Sequence, residues 1–171
     1  MKILSVNAGS SSLKFQLYEM PEEKVLISGL MERIGVGNSF YTIKVNGEKI
    51  KKEVELNNHE EAFETLVKEL EENKVVESLE EIEGIGHRVV QGGDYFDKTV
   101  VIDDEVLAKI DELSSLAPLH NPAAVTGIKA AKDVFPNAVQ TAVFDTAFHQ
   151  TMPKENFLYA LPISWYTDLK V

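Results

Sequence analysis

The sequence predicts an α/β protein in which one mixed β-sheet is flanked by helices. Apolar residues recur with a period of two in the first third of the chain and with helical spacing in later segments. The resulting order of strands, helix, strand, two helices and strand is typical of a sheet with helices packed against it. With 171 residues, of which 44% are hydrophobic, the chain is large enough to bury a core.

The first predicted element is a hairpin with a small polar turn. The apolar run 3–6 leads into Ala, Gly and three Ser residues at 8–12, and an alternating strand follows. Such a turn lets backbone N–H groups approach an anion closely, and its hydroxyls add donors. Period two places Ser12 and Lys14 on one strand face. The turn therefore indicates a phosphate site, and the alternative is an ordinary serine-rich hairpin with a solvated lysine.

Three further strands and a helix are predicted next. Residues 25–30 have the pattern of a strand, and the segments 40–45 and 49–56 flank Asn46-Gly47, which is a strong hairpin signal. Asn58, with Glu61 as a capping-box partner, begins a helix. The apolar residues of this helix fall at helical spacing and are Ala62, Phe63, Leu66, Val67 and Leu70. We interpret His59, at the helix start, as structural.

Residues 82–90 have the pattern of a strand that carries Arg88 near its end. A turn containing Gly92 and Gly93 follows, and a glycine pair after a strand indicates a tight turn or a close backbone approach. At this position the planar guanidinium of Arg88 can hold a carboxylate or a transferring phosphoryl group. The alternative is a surface ion pair in an acidic protein.

Two helices with a loop between them are predicted after this turn. Asp103 or Asp104 caps the first helix, whose face carries Val106, Ile110 and Leu113. Asn121 is predicted to cap the second helix, with Pro122 at its first position and an end near residue 134. His120 lies in the loop directly before this helix. It can donate to an anion there, and the alternative is that it hydrogen-bonds a loop carbonyl.

The last predicted strand covers residues 138–144, reads as buried, and ends on Asp145. A carboxylate at a strand end can orient a nucleophile or hold magnesium through water, and the alternative is a helix N-cap. His149 would share a helix face with Asp145, but one Asp and one His make a poor zinc site.

Composition excludes several function classes. The net charge of −11 argues against nucleic acid and anionic membranes as partners, so any phosphate site must be local. With no cysteine there are no disulfides or thiolate metal sites, and a cytoplasmic location fits. The sequence contains no membrane-length apolar run, secretory signal pattern, P-loop or G-x-G-x-x-G motif. We therefore expect a soluble protein that binds phosphate through a motif other than these two.

Four blocks of sequence together resemble the acetate kinase family. They are VNAGSSSLKF at 6–15, GHRVVQGG at 86–93, LAPLHNP at 116–122 and FDTAFHQ at 144–150. The resemblance runs from the first residue to the last. It implies a ribonuclease-H-like domain of the superfamily that contains acetate and sugar kinases, Hsp70 and actin. In that superfamily nucleotide binds between two such domains, and residues 1–171 resemble only the first, N-terminal one, with the C-terminal domain absent.

The resemblance also implies a role for individual residues. The nucleotide and phosphate site would contain Asn7, Ser10, Ser12 and Lys14, and the site for the acetyl group would contain Arg88, Val90 and Leu119. The catalytic residues would be Arg88, His120 and Asp145: the first two would contact the phosphoryl group in transfer, and Asp145 would help to position acetate and magnesium. Asn7 and Asp145 would also bind magnesium, or manganese in its place.

The activity implied is reversible, magnesium-dependent, direct in-line transfer of phosphoryl from ATP to acetate, which gives acetyl phosphate and ADP. Family members are typically homodimers, whereas this chain alone can be a monomer. It lacks counterparts of the family's later histidine, arginine, adenosine-binding glycines and metal-binding glutamate, so an incomplete site with little turnover is expected. The alternatives are a non-catalytic domain that binds phosphate or acetyl phosphate weakly, and a kinase for propionate or butyrate.

Overall fold

The computed structural model describes residues 1–169, so the last two residues of the predicted domain lie outside the described residues. Eight strands occur in this part of the chain: β1 (Lys2–Gly9), β2 (Ser12–Glu19), β3 (Lys24–Glu32), β4 (Phe40–Val45), β5 (Glu48–Glu53), β6 (Ile82–Val89), β7 (Val100–Val101) and β8 (Val139–Phe144). The helices are α1 (His59–Glu72), α2 (Asp104–Glu112), α3 (Asn121–Val134), α4 (Lys154–Phe157) and α5 (Ile163–Leu169). Short 3₁₀ helices cover Leu79–Glu81, Leu113–Ser115 and Asp145–His149. The predicted α/β class and the order of the predicted elements are confirmed, and β7, α4 and α5 are additional elements that were not predicted.

All eight strands form one mixed sheet in the order β5-β4-β3-β2-β1-β6-β8-β7. The first five strands form an antiparallel meander. β1 then pairs in parallel with β6, and β6 pairs in parallel with β8. Because parallel strands point the same way, the carboxyl ends of β1, β6 and β8 meet at one edge of the sheet.

The core lies on one face of the sheet. Leu4 and Val6 of β1 are buried, as is Phe15 of β2, and they cluster with Phe63 of α1 and Ala131 of α3. A second cluster joins α2 and α3 to the end of β8. Strand side chains alternate between faces, so the intervening residues lie on the opposite face, which these helices leave open.

The start of α1 is held by reciprocal side-chain bonds. The Asn58 side chain accepts from the Glu61 amide at 2.9 Å, as predicted for a cap. The Glu61 carboxylate accepts from the amide of Asn57 at 2.7 Å, one residue before the partner that a capping box would use. The helix start is therefore fixed at two successive residues.

A buried carboxylate ties α1 to the antiparallel strands. Glu69 is 1% exposed and accepts hydrogen bonds from the Tyr41 hydroxyl, from Lys52 Nζ at 2.6 Å and from Asn73 Nδ2 at 3.0 Å. Burial raises the pKa of Glu69, but the bonds from Lys52 and Tyr41 outweigh it and the pKa is lowered. Burial, with help from Glu69, raises the pKa of Tyr41 to about 12. The buried charge is thus paired rather than isolated.

Three local predictions are corrected by the structure. Asn121 is not the cap of α3: His120 occupies that position, and Asn121 lies inside the helix, fully buried. β8 is not buried on both faces, since Val139 and Val143 lie on the open face and are about half exposed. Asp145 and His149 lie on a 3₁₀ helix, where three residues complete a turn, so the two side chains do not share a face.

The segment after the 3₁₀ helix at Asp145–His149 contains α4 and α5, neither of which buries a residue. Its aromatic side chains include Tyr159, which is 73% exposed. Within residues 1–169, no helix is both long and apolar enough to span a membrane.

Candidate active site

The carboxyl ends of three strands bring Asn7, Arg88 and Asp145 together. Val6 of β1 lies beside His87 of β6, so Asn7 and Arg88 are neighbours one residue later. Val89 of β6 lies beside Phe144, the last residue of β8, and Asp145 follows directly. Arg88 and Asp145, which were predicted at strand ends, and Asn7, which the resemblance named, therefore form one polar cluster.

Arg88 lies at the centre of this strand-end cluster. Its Nε is 3.0 Å from Asp145 Oδ1 and 3.1 Å from Oδ2, and its Nη2 is 2.6 Å from Oδ2. Its Nη1 is 3.4 Å from Asn7 Oδ1. The arginine and aspartate side chains are 49% and 41% exposed. An ion pair this open is weak in water, so an anion can compete with the carboxylate for the guanidinium.

Hydrogen bonds join the loop that follows β6 to the loop that follows β8, next to Arg88 and Asp145 in the sequence. The Gly92 amide donates to Thr146 Oγ1 at 2.9 Å, and Gln150 Nε2 donates to the Gly93 carbonyl at 2.8 Å. A Cβ on Gly92 would lie 3.1 Å from the Phe144 ring, and Gly93 has a φ of +59°. The predicted tight turn and close approach at the glycine pair are both observed.

Asn121 connects the Arg88 strand to the His120 loop. Its Nδ2 donates to the Gln91 carbonyl at 3.0 Å and to the Ile110 carbonyl at 3.2 Å. Its Oδ1 accepts from the Gln91 amide at 3.1 Å. Sequence reasoning missed this contact, because an Asn before Pro also carries the signal of a helix cap.

A groove of about 640 Å³ lies between the β1–β2 turn and the loop before α3. Its lining residues are Gly9, Ser10, Ser12, His59, Pro118, Leu119, His120, Pro122, Ala123 and Thr126. α3 packs closely against β1 near this groove, since a Cβ on Gly127 of α3 would lie 2.7 Å from the Cβ of Ala8. The predicted phosphate turn and His120 therefore face the same space, which we call the turn groove.

Two predicted site residues lie elsewhere. Lys14 is paired across β1 and β2 with Asn7, is exposed, and lines a separate groove on the open sheet face with Lys44 and Lys49. Val90 follows β6, is partly buried, and does not line the turn groove. Leu119 does line it, with 78% of its surface exposed. The described residues thus do not join Val90 and Leu119 into one enclosed apolar pocket.

His87 lies behind Arg88 and joins β6 to β8. It is 2% exposed, and its Nε2 is 2.7 Å from Gln140 Oε1. Burial lowers the pKa of His87 to about 4, although the bond to Gln140 opposes this shift. An amide oxygen only accepts, so Nε2 donates in this bond, and the lowered pKa keeps the ring neutral near pH 7.

The oxygen donors near Arg88 are the Asn7 amide and the Asp145 carboxylate. Among residues 1–169 no group of three or more His, Cys, Asp or Glu side chains is arranged to hold a metal. The Asn7 and Asp145 oxygens both accept hydrogen bonds from Arg88 in this structure. Oxygen donors of this kind are the ligands that hard cations such as Mg²⁺ take, and two of them would leave most coordination positions to other ligands.

Comparisons with known proteins point to one family. The model of the acetokinase family matches residues 2–171. The acetate kinase of Bacillus mycoides (strain KBAB4) is 61% identical over 165 residues, and that of Macrococcus caseolyticus (strain JCSC5402) is 53% identical over 167. These matches cover 96% and 98% of this chain. The chain spans 42% of each relative's length.

Solved structures give the same result. The crystal structure of Porphyromonas gingivalis acetate kinase superposes with a TM-score of 0.93 at 43% identity, and covers 99% of this chain and 43% of that one. A propionate kinase from Francisella tularensis superposes with a TM-score of 0.91 at 44% identity and the same coverage.

Proposed function

The chain belongs to the acetokinase family, and from that premise we propose that it takes part in reversible phosphoryl transfer from ATP to acetate, giving acetyl phosphate and ADP. One observation carries the proposal: the Arg88, Asp145 and Asn7 side chains meet at the strand ends, and the turn that follows β1 places Ser10 and Ser12 in the groove that His120 also lines. This arrangement offers an arginine fork, hydroxyls and an imidazole to a small anionic substrate.

The proposed reaction is direct and in line. An acetate oxygen forms a bond to the γ-phosphorus of ATP while the bond from that phosphorus to the β–γ bridging oxygen breaks, and ADP leaves with that oxygen. Charge balances without proton transfer, so the chain needs to supply positioning and positive charge rather than a general base. Arg88 would exchange Asp145 for phosphoryl oxygens, and His120, exposed at the groove, would donate to the group in transfer.

We propose magnesium as the metal, with manganese able to replace it, bound by Asn7 and Asp145 together with the phosphates of ATP. When bound, the ion supplies positive charge to the phosphate oxygens. Ser10 and Ser12 would bind phosphate at the turn. Lys14 would contribute its charge from the strand beside Asn7, since its own groove lies on the same sheet face.

A second candidate substrate is propionate or butyrate. The match to a propionate kinase at a TM-score of 0.91 favours it. We propose Val90 and Leu119 as apolar contacts for the acyl group. One methylene changes binding in an apolar pocket by only about 1–3 kcal/mol. Comparing kcat/KM for acetate, propionate and butyrate decides between the substrates.

We further propose that these 171 residues form the first of two domains of a cytoplasmic, homodimeric kinase. The chain would then act as the acceptor side of the site, and alone would bind phosphate or acetyl phosphate weakly without turnover. The match to only 42% of each acetate kinase supports this proposal.

A chimera tests the activity directly. This chain replaces the matched 165 residues of the Bacillus mycoides acetate kinase, with which it is 61% identical. Acetyl phosphate made from acetate, ATP and magnesium is trapped as the hydroxamate. We expect turnover that falls about 10²- to 10³-fold in Arg88→Ala. Lys132→Ala, which removes an exposed ion pair with Asp104, is the matched control and leaves turnover unchanged. A folded chimera without turnover contradicts the proposal.

A further inference from the structure

His59, the first residue of α1, reaches across to the turn between β1 and β2. Its Nε2 lies 2.8 Å from the Gly9 carbonyl oxygen, and its side chain is 7% exposed. A carbonyl only accepts, so Nε2 carries the hydrogen in this bond. From the sequence we interpreted His59 as a residue with a structural role only. In the structure it also lines the turn groove, together with Ser10 and Ser12.

The turn is held by its carbonyl groups. Gly9 accepts from His59, and Ser11 accepts from the Ile34 amide at 2.9 Å. In the described part of the chain, the amides of Ser10 and Ser11 have no hydrogen-bond acceptor. Carbonyls drawn into the protein leave the turn's amides and hydroxyls as the groups available to an anion.

The helix start that carries His59 is itself fixed. Asn58 caps the helix through the Glu61 amide, and the Glu61 carboxylate bonds the Asn57 amide. His59 lies between Asn58 and Glu61, so the backbone that carries its ring is held on both sides. The β1–β2 turn is two residues long and is closed by the Gly9–Ser12 strand pair, and the bond from His59 adds a contact from α1 to this pair.

We infer that His59 is a positioning residue for the anion-binding turn: its bond to the Gly9 carbonyl holds the turn in the position in which Ser10 and Ser12 line the groove shared with His120. This inference rests on the proposed function of the turn. It assigns a role to a side chain that does not itself contact the reacting atoms. Loss of the Nε2 donor should weaken anion binding at the turn and increase the mobility of Ser10 and Ser11.

The test uses inorganic phosphate and the 171-residue chain. A ¹H–¹⁵N correlation titration reports the Kd for phosphate at the amides of residues 10–12, and ¹⁵N relaxation reports their mobility. His59→Leu removes the donor, and we expect about five- to tenfold weaker binding with more mobile turn amides. His59→Gln places an amide donor at nearly the same distance and should restore binding to within about twofold. Glu60→Gln, on the exposed side of the same helix turn, is the control.

The outcomes separate the inference from the proposed function. Saturable binding in the unsubstituted chain that is unchanged in His59→Leu overturns the inference alone. Absence of any phosphate binding at residues 10–12 contradicts the proposed function and overturns the inference with it. If His59→Leu does not fold, His59→Asn replaces it, because its shorter amide cannot reach Gly9, and the same two results apply.

Discussion

The guanidinium of Arg88 forms a two-oxygen ion pair with Asp145, with Nη2 2.6 Å from Oδ2 and Nε 3.0 Å from Oδ1. The two residues lie 57 positions apart in sequence, at the ends of neighbouring parallel strands. In the free chain the Arg88 guanidinium is therefore already paired with the Asp145 carboxylate. An anion that binds Arg88 must displace this carboxylate or share the guanidinium with it, so the strength of the pair affects how readily Arg88 binds the anion.

Removing the Arg88 pair should have little effect on stability. Both side chains are about half exposed, and exposed ion pairs contribute only about 0–1 kcal/mol. We expect Arg88→Gln to change the free energy of unfolding by less than about 1 kcal/mol in urea titrations. Asp104→Asn, which breaks the exposed pair with Lys132, should have a similarly small effect. A loss above about 2 kcal/mol for Arg88→Gln would indicate a structural role instead.

Asn121→Ala should destabilise the chain strongly. The substitution removes the partner of both Gln91 backbone groups and of the Ile110 carbonyl at a fully buried position. An unpaired buried group such as the Ile110 carbonyl costs about 1–3 kcal/mol, and the two partly buried Gln91 groups can regain water and cost less, so a total loss of about 2–4 kcal/mol is expected. Asn156→Ala, at an exposed position, should cost less than about 0.5 kcal/mol. Equal effects from the two substitutions in urea unfolding would refute the connecting role of Asn121.

Gly127→Ala should move α3 away from β1. Its Cβ would lie 2.7 Å from the Cβ of Ala8, and neither a backbone nor a short side chain can yield there cheaply. We expect a loss of about 1–3 kcal/mol by thermal unfolding and weaker phosphate binding at residues 10–12. Gly86→Ala is the matched control, since its Cβ would meet Thr141 Oγ1 at an ordinary 3.8 Å. A stable Gly127→Ala with unchanged binding would contradict the close packing of helix and strand.

Stability should fall as pH is lowered from 6.5 to 4. His87 has a pKa of about 4 in the native chain, against 6.5 ordinarily, so the unfolded chain binds a proton in this window and the native chain does not. By linkage the loss amounts to at most about 3 kcal/mol and levels off below pH 4.

His87→Gln isolates this effect. It keeps a donor for Gln140 and removes the titrating ring, so the slope between pH 6.5 and 4 should flatten in urea unfolding measured across pH. Carboxylates with a lowered pKa, such as Glu69, also reduce stability as pH falls, but only below about pH 4.5, and this contribution is the same in the variant. An unchanged slope between pH 6.5 and 5 would show that His87 is not the responsible group.

Local signals predicted much of the fold. The hairpin at Asn46-Gly47, the Asn58 cap and the Asp103 cap, whose side chain accepts from Val106 at 2.8 Å, all depend on residues within a few positions. Such interactions are formed by the chain's own neighbours, so they can be predicted from sequence.

Long-range partners account for what the sequence did not predict. The Asn121 side chain hydrogen-bonds Gln91, 30 residues earlier, and it does not cap α3 as predicted. The exposure of Val143 follows from the open sheet face, which depends on where the helices pack. The meeting of Asn7, Arg88 and Asp145 required the parallel order of β1, β6 and β8, whereas the strand-end positions of Arg88 and Asp145 could be predicted.

The most direct test of the account is a titration of the ¹⁵N-labelled chain with acetyl phosphate in the presence of magnesium. If the strand ends and the turn groove form one acceptor site, saturable shifts will appear at Asn7, at residues 10–12, at the Arg88 Nε–H signal and at His120. Arg88→Ala will abolish them. Shifts confined to other surfaces, or saturable shifts that persist in Arg88→Ala, would contradict the assignment of this site.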